Sequence, residues 1–177
     1  SNSSHSFPSR FSSPATINLW VDANQAPVAQ DNTATVLTTQ PSTILLTATD
    51  QDNYNDSYDQ LTFFIDTDPL YGSLGTPENR YCDMVNNEGN WEYTCTAAVL
   101  YTPAPGITAT TDSFTFHVND THQDSASATM SLELYTPKTL HVNANDDNPD
   151  ETGCTEDHCN LREAVYDALS GDAIDFS

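Results

Sequence analysis

The stretch Asp112-Ser113-Phe114-Thr115-Phe116-His117-Val118-Asn119-Asp120 decides the fold. Phe114, Phe116 and Val118 alternate with polar neighbours, the period of a strand that buries one face. The same alternation recurs on both sides of it. Residues 42–49 put Ile44, Leu46 and Ala48 on one face, residues 61–66 put Leu61, Phe63 and Ile65 there, and residues 129–134 put Met130, Leu132 and Leu134 there. Shorter strands are expected at 33–37, 73–74, 80–84, 91–96 and 99–102. Asp, Asn, Pro and Gly punctuate the intervals, and no helix is expected within residues 28–135. Many short strands with such turns predict an all-β protein, an antiparallel β-sandwich.

The flanks read differently. Residues 1–14 are rich in Ser and Pro and predict irregular chain. Ala15-Thr16-Ile17-Asn18-Leu19-Trp20-Val21 then alternates as a strand, and Ala128-Thr129-Met130-Ser131-Leu132-Glu133-Leu134 echoes it. Each precedes a linker with proline, which predicts a tandem array of modules. Residues 1–23 are therefore expected to be the tail of a preceding repeat and its linker, and residues 24–135 the module. Beyond Pro137, Leu140 and Val142 give a short strand, followed by the acidic loop Asn145-Asp146-Asp147-Asn148-Pro149-Asp150-Glu151. Leu161, Ala164, Val165, Ala168 and Leu169 fall at helical spacing, with Asn160 and Glu163 spaced as a capping box and Gly171 as the stop. Ala173-Ile174-Asp175-Phe176 begins another strand. Strand, helix and strand cannot close a core, so residues 136–177 are expected to be an incomplete cap, the opening of a further domain.

Charge narrows the function. There are 26 Asp and Glu against 4 Lys and Arg, a formal net charge of -22. Such a field repels nucleic acid and anionic lipid and attracts cations. Hard cations take carboxylate and carbonyl oxygens, so bound Ca²⁺ is the specific expectation and solubility the plain one. The loop Asp50-Gln51-Asp52, with Asp56 and Asp59 close behind, is the best cation candidate, and a solvated turn is its alternative. Asp146, Asn148 and Asp150 are spaced like the start of an EF-hand loop, but the sixth position is Glu151 rather than glycine, which favours a plain acidic loop. Cys82 with Cys95 and Cys154 with Cys159 predict two local disulfides and an oxidising compartment; pairings that tie the two halves together are the alternative. No apolar run approaches membrane-spanning length, so no membrane insertion is expected. No signal peptide is evident, and a segment of a longer secreted protein is expected.

Catalytic patterns are thin. The five His are scattered, no Gly-rich phosphate loop occurs, and His117 falls on the polar face of its strand, where a solvated side chain is expected. Lys138 is the sole lysine and sits in a linker, which argues against an internal Lys–Asn isopeptide bond. Trp20 and Trp91 offer ring faces for sugars, although Trp91 is expected to pack in or near the core beside the Cys82–Cys95 hairpin.

Two resemblances add to this reading. Asn24-Gln25-Ala26-Pro27-Val28-Ala29, Ala48-Thr49-Asp50-Gln51-Asp52, Asp59-Gln60-Leu61-Thr62-Phe63, Pro69-Leu70-Tyr71-Gly72-Ser73-Leu74, Tyr101-Thr102-Pro103 and the stretch quoted first occur in order. Together they resemble the bacterial cadherin-like, immunoglobulin-fold repeats of large surface and secreted proteins. The resemblance implies that Asp50 and Asp52 pair as Ca²⁺ ligands facing the linker, where Asp22 and Asn24 stand. Insertions at residues 53–58 and 76–98 depart from the pattern. Cys154 to Cys159, leading into Asn160-Leu161-Arg162-Glu163-Ala164-Val165 and then Gly171-Asp172-Ala173-Ile174-Asp175-Phe176, looks like the CSLREA segment that opens parallel β-helix domains of bacterial secreted proteins. Asn160 stands where that family has Ser, a mild change because both cap helices.

These readings predict a non-catalytic spacer or adhesion module at the cell surface or outside the cell, stabilised by Ca²⁺ through Asp22, Asn24, Asp50, Asp52 and Asp59, with Asp146 and Asp150 as a second acidic site. Its expected partners are neighbouring repeats of the same protein and a host or cell-surface ligand. The alternative is a carbohydrate-binding module, its partner an extracellular polysaccharide, attached to a β-helix enzyme or adhesin.

Overall fold

The computed structural model describes residues 24–51, 61–87, 90–145, 153–155 and 158–176. Two sheets face each other. One holds β1 (Val28–Ala29), β3 (Ser42–Asp50), β7 (Asn90–Pro103) and β5 (Gly72–Leu74) in that order, with β6 (Glu78–Asn87) also paired to β7. The other holds β2 (Asn32–Leu37), β9 (Ala128–Tyr135), β8 (Thr111–Asn119) and β4 (Thr62–Thr67). The predicted alternation is what fills the space between them. Ile44, Leu46 and Ala48 meet Phe114, Phe116 and Val118, with Leu61, Phe63, Met130 and Leu132 completing a buried core. Phe63 and Phe116 lie with ring centroids 6.3 Å apart. Each fully buried aliphatic or aromatic side chain contributes roughly 1.5–3 kcal/mol.

Three features depart from a plain antiparallel reading. First, β2 and β9 run parallel, in register from Asn32↔Met130 to Leu37↔Tyr135. Second, the entering chain changes sheets between β1 and β2. Gln30 N donates to Thr47 O at 3.0 Å on one sheet, and Asp31 Oδ1 accepts from Thr129 N at 2.6 Å on the other. Third, the strands expected at 91–96 and 99–102 are one strand, β7. Cys95, Ala97, Val99 and Tyr101 continue the same inward alternation through Ala97-Ala98. Alanine is a weak strand former, but β3 pairs along Tyr93 to Tyr101 and holds it there.

One carboxylate network, centred on the half-buried Asp112, locks the turn before β5. Tyr101 is fully buried and its hydroxyl donates to Asp112 Oδ2 at 3.1 Å. Asp112 also accepts from the N–H groups of Leu70, Tyr71 and Ser113, each at 2.9 Å. Burial, then the Asp112 charge and hydrogen bond, push the Tyr101 phenol up to about 12. Gly72 lies against the Tyr101 ring so closely that a Cβ there would overlap it.

Both cysteine pairs are the local ones, Cys82–Cys95 and Cys154–Cys159. The first joins directly opposed positions of the β6–β7 hairpin. The second lies in a small separate core of Leu140, Cys159 and Ala164, with Val142, Ala168 and Ile174 against it. That core is built by β10 (Thr139–Val142), α1 (Leu161–Asp167) and β11 (Ala173–Phe176), with β10 and β11 parallel. Asn160 caps α1 through the expected capping box: Glu163 N donates to Asn160 Oδ1 at 3.0 Å, and Asn160 N to Glu163 Oε2 at 2.9 Å. The helix is shorter than expected: it ends at Asp167, with Ala168 already extended, so Leu169 lies beyond it and Gly171 is not its stop; Ala164 is buried, while Leu161, Val165 and Leu169 remain exposed.

Candidate functional site: the acidic pole where the chain enters

Two carboxylates are buried at the end of the sandwich where the chain enters. Asp50 closes β3 at 2% exposure, and Asp120 follows β8 at 1%. Asp120 is held by a turn of the kind Asp forms with the backbone just after it. Its Oδ1 accepts from His122 N at 2.7 Å and Gln123 N at 2.6 Å. Thr121, between them, adopts a left-handed φ of 81°, and its N–H donates to Asn119 Oδ1 at 2.7 Å. Asp120 Oδ2 accepts from Asn24 Nδ2 at 2.9 Å, and Gln123 Nε2 donates to Asn24 O at 2.9 Å. The entering segment is thereby fastened to the β8–β9 turn. Pro27 is buried just beyond it. Gln25, Ala26 and Val28 share a pocket of about 180 Å³ with Thr49, Asp50 and Gln51.

Burial pushes the Asp120 carboxyl up. The Gln123 N–H, the Asn24 amide, the His122 N–H and the His122 charge outweigh it, and the net result lies below the usual carboxylate range. The folded value is below the unfolded one. The stabilisation is therefore complete above roughly pH 4, the ordinary Asp range, and is lost as pH falls through the folded value. Protection of the His122 and Gln123 amides against hydrogen exchange should fall on acidification before that of Phe116 does. Simultaneous loss at all three would show that Asp120 does not govern this turn.

Of the residues expected to hold Ca²⁺, Asn24 and Asp50 are described, and the structure brings both to this pole. Asp22, Asp52, Asp59, Asp146 and Asp150 lie outside the described residues. Asn24 turns its Nδ2 toward Asp120, so only its Oδ1 can meet a cation. The Asp50 Oδ2 is wholly shielded from solvent. Ca²⁺ takes six to eight oxygens. The described residues fit the ion in kind, with a buried carboxylate and amide oxygens. No three of their His, Cys, Asp and Glu side chains lie close enough to hold one.

Asp120 closes the stretch Asp112–Asp120, whose alternation alone assigns it no role. The pair Asn119-Asp120, two turn formers side by side at a strand end, is the signal that points to it.

A second polar cluster lies on the outer face of the β2-β9-β8-β4 sheet. His117 is not simply solvated: its side chain is 27% exposed and its Nδ1 meets Asp66 Oδ1 at 2.5 Å. Its Nε2 is 3.8 Å from Asp124 Oδ1. The ring stacks on Phe64, with centroids 5.2 Å apart and planes 18° off parallel. Ser127 Oγ donates to Asp66 Oδ2 at 2.6 Å. That hydroxyl, opposed by burial and helped by His117, holds the Asp66 carboxyl below its usual range. A Ser, a His and an Asp are thus adjacent, but the hydroxyl donates to the carboxylate rather than to the imidazole. The nucleophile–base hydrogen bond of a catalytic triad is not formed. The Trp20 side chain and the Trp91 side chain lie outside what is described.

The two facing sheets, the sheet-switching first strand and the Asp-capped pole define an immunoglobulin-like sandwich. The model of the bacterial Ig domain family matches residues 24–133, well over half of the chain, and the chain belongs to that family. No curated protein matches it. Domains of this family are typically extracellular repeats of large proteins and are generally non-catalytic. Among the described residues, no helix is long and apolar enough to cross a membrane.

Proposed function

We propose that the chain is a Ca²⁺-stabilised spacer or adhesion module of a large secreted or surface protein, its partners the neighbouring repeats of the same protein. In this reading residues 1–23 are the tail of a preceding repeat, residues 24–135 a cadherin-like module, and residues 136–177 the opening of a CSLREA-type β-helix domain. The observation that carries it is Asp50, a carboxylate buried at the entry pole beside the linker residues Gln25 and Ala26. Asp52, Asp59 and Asp22 would complete the oxygen shell from the adjoining loop and linker. Bound there, the ion would neutralise clustered carboxylates and stiffen the junction with the preceding module.

An ion that binds only the folded state stabilises it by roughly 2.7 kcal/mol at a hundredfold excess over its dissociation constant. Extracellular Ca²⁺ modules bind at about 10⁻⁴–10⁻³ M, so the chain should melt higher in millimolar Ca²⁺ than in EDTA. Mg²⁺, which dehydrates reluctantly, should do much less, whereas charge screening would respond to both ions alike. Asp50→Asn with Asp52→Asn should abolish the difference. Equal melting temperatures of the native chain in EDTA and Ca²⁺ would remove the site.

A second reading, a carbohydrate-binding module, is favoured by the Phe64–His117 pair. Phe64 is 45% exposed and stacks on His117, whose ring nitrogens face Asp66 and Asp124; an aromatic ring beside hydrogen-bonding groups is the combination that sugars use. A glycan array at fixed Ca²⁺ separates the two readings. Saturable binding lost in Phe64→Ala would favour the second.

A further inference from the structure

Short links between folded units leave relative motion as the default, unless specific contacts remove it. Here the link from β9 to β10 is Thr136-Pro137-Lys138. We propose that Asp172 locks this link, so that the β10–α1–β11 unit is held at a fixed angle to the sandwich and the two tumble as one rigid body.

One carboxylate reaches three parts of the chain at once. Asp172 Oδ1 accepts from the hydroxyl of Tyr135, the last residue of β9, at 2.5 Å. The same oxygen accepts from Lys138 N, within the link, at 2.8 Å. Oδ2 accepts from Leu169 N, within the unit itself, at 3.0 Å. Charged acceptors make the stronger hydrogen bonds, and three from different segments define an orientation where one would define only a distance. The Tyr135 hydroxyl, opposed by burial and joined by the Lys138 and Leu169 N–H groups and the Lys138 charge, holds the Asp172 carboxyl below its usual range. It is therefore ionised at neutral pH and can accept from all three donors.

Packing supports the same joint. Gly171 has φ +95°, and a Cβ there would lie 3.2 Å from both Leu37 Cδ1 and Pro137 Cγ. The turn thus lies against the end of β2 and against the link. Thr38 N donates to Tyr135 O at 2.9 Å, and Thr38 Oγ1 to Thr136 Oγ1 at 2.9 Å, fixing the start of the link to the sandwich. Ala173 N donates to Lys138 O at 3.0 Å, fixing its end to β11. No step of this joint involves the entry pole, so it stands or falls independently of Ca²⁺ binding and of adhesion.

The test is ¹⁵N relaxation on the whole chain, comparing rotational correlation times from amides of β8 with those of β10, α1 and β11. In the native chain the two sets should agree. In Asp172→Ala they should separate, with the smaller unit having the shorter correlation time, the behaviour of a tethered domain. Tyr135→Phe, which removes only the bridging hydroxyl and leaves the unit's own bonds, should fall between. Separate tumbling in the native chain would overturn the proposal. So would a single correlation time in Asp172→Ala with both cores intact. If Asp172→Ala unfolds the small unit, Tyr135→Phe decides, and an unchanged single time there overturns it.

Discussion

Tyr101→Ala is expected to destabilise the sandwich by about 4 kcal/mol, the range for removing a large buried aromatic. Tyr101 is fully buried, and its ring is the surface on which Gly72 rests. Removing it empties the core beneath β5 and takes a donor from Asp112, which also holds Leu70 and Tyr71. Tyr101→Phe keeps the ring and should lose only the hydrogen bond, about 1.5 kcal/mol because the acceptor is charged. Gly72→Val should destabilise from the other side by overpacking, about 1–3 kcal/mol, since its Cβ would enter the ring's volume. Urea denaturation of the three variants reads these values directly. A loss below about 1 kcal/mol in Tyr101→Ala would mean that this region carries little of the core's stability.

Removing the disulfide of the β6–β7 hairpin should have the next largest effect. Cys82 and Cys95 are 13 residues apart, and in the chain-entropy model a loop of that size contributes about 3 kcal/mol. Cys95 is wholly buried in the main core, so Cys82→Ala with Cys95→Ala also removes a packed sulfur. Cys154 and Cys159 are only 5 apart, and their bond should contribute less, about 2 kcal/mol, to the small unit alone. The two double variants, unfolded in denaturant and followed by amides of each core, separate the contributions. If the hairpin variant matches the native chain in midpoint, the bond constrains little that the sheet does not already hold.

The legible part of this fold was its alternation. Phe114, Phe116 and Val118, Ile44, Leu46 and Ala48, and Met130, Leu132 and Leu134 all point into the core as a period of two requires. Partner choice was not legible, because it depends on residues distant in sequence. Nothing in Asn32–Leu37 marks a parallel neighbour, and nothing at Gln30-Asp31 announces a change of sheet. Ala97-Ala98 misled in the other direction: local propensity argued for a break, and pairing on both sides overrode it. The site was half legible. Asp50 stood out because a second Asp follows two residues later. Asp112 and Asp120 gave no such signal, since an isolated Asp at a strand end resembles any other until the N–H groups it serves are in place. His117 was misread because its partner, Asp66, sits on a bulge of β4, where the pattern of faces slips.

The parallel pairing of β2 with β9 bears on how the molecule responds to force. β2 follows the entry pole and β9 leads out at the opposite end, toward Tyr135 and the Asp172 joint. Tension between the two ends therefore draws these strands past each other along their length. The pairs from Asn32↔Met130 to Leu37↔Tyr135 share that load in shear and yield together, where an antiparallel hairpin pulled from its open end would unzip one pair at a time.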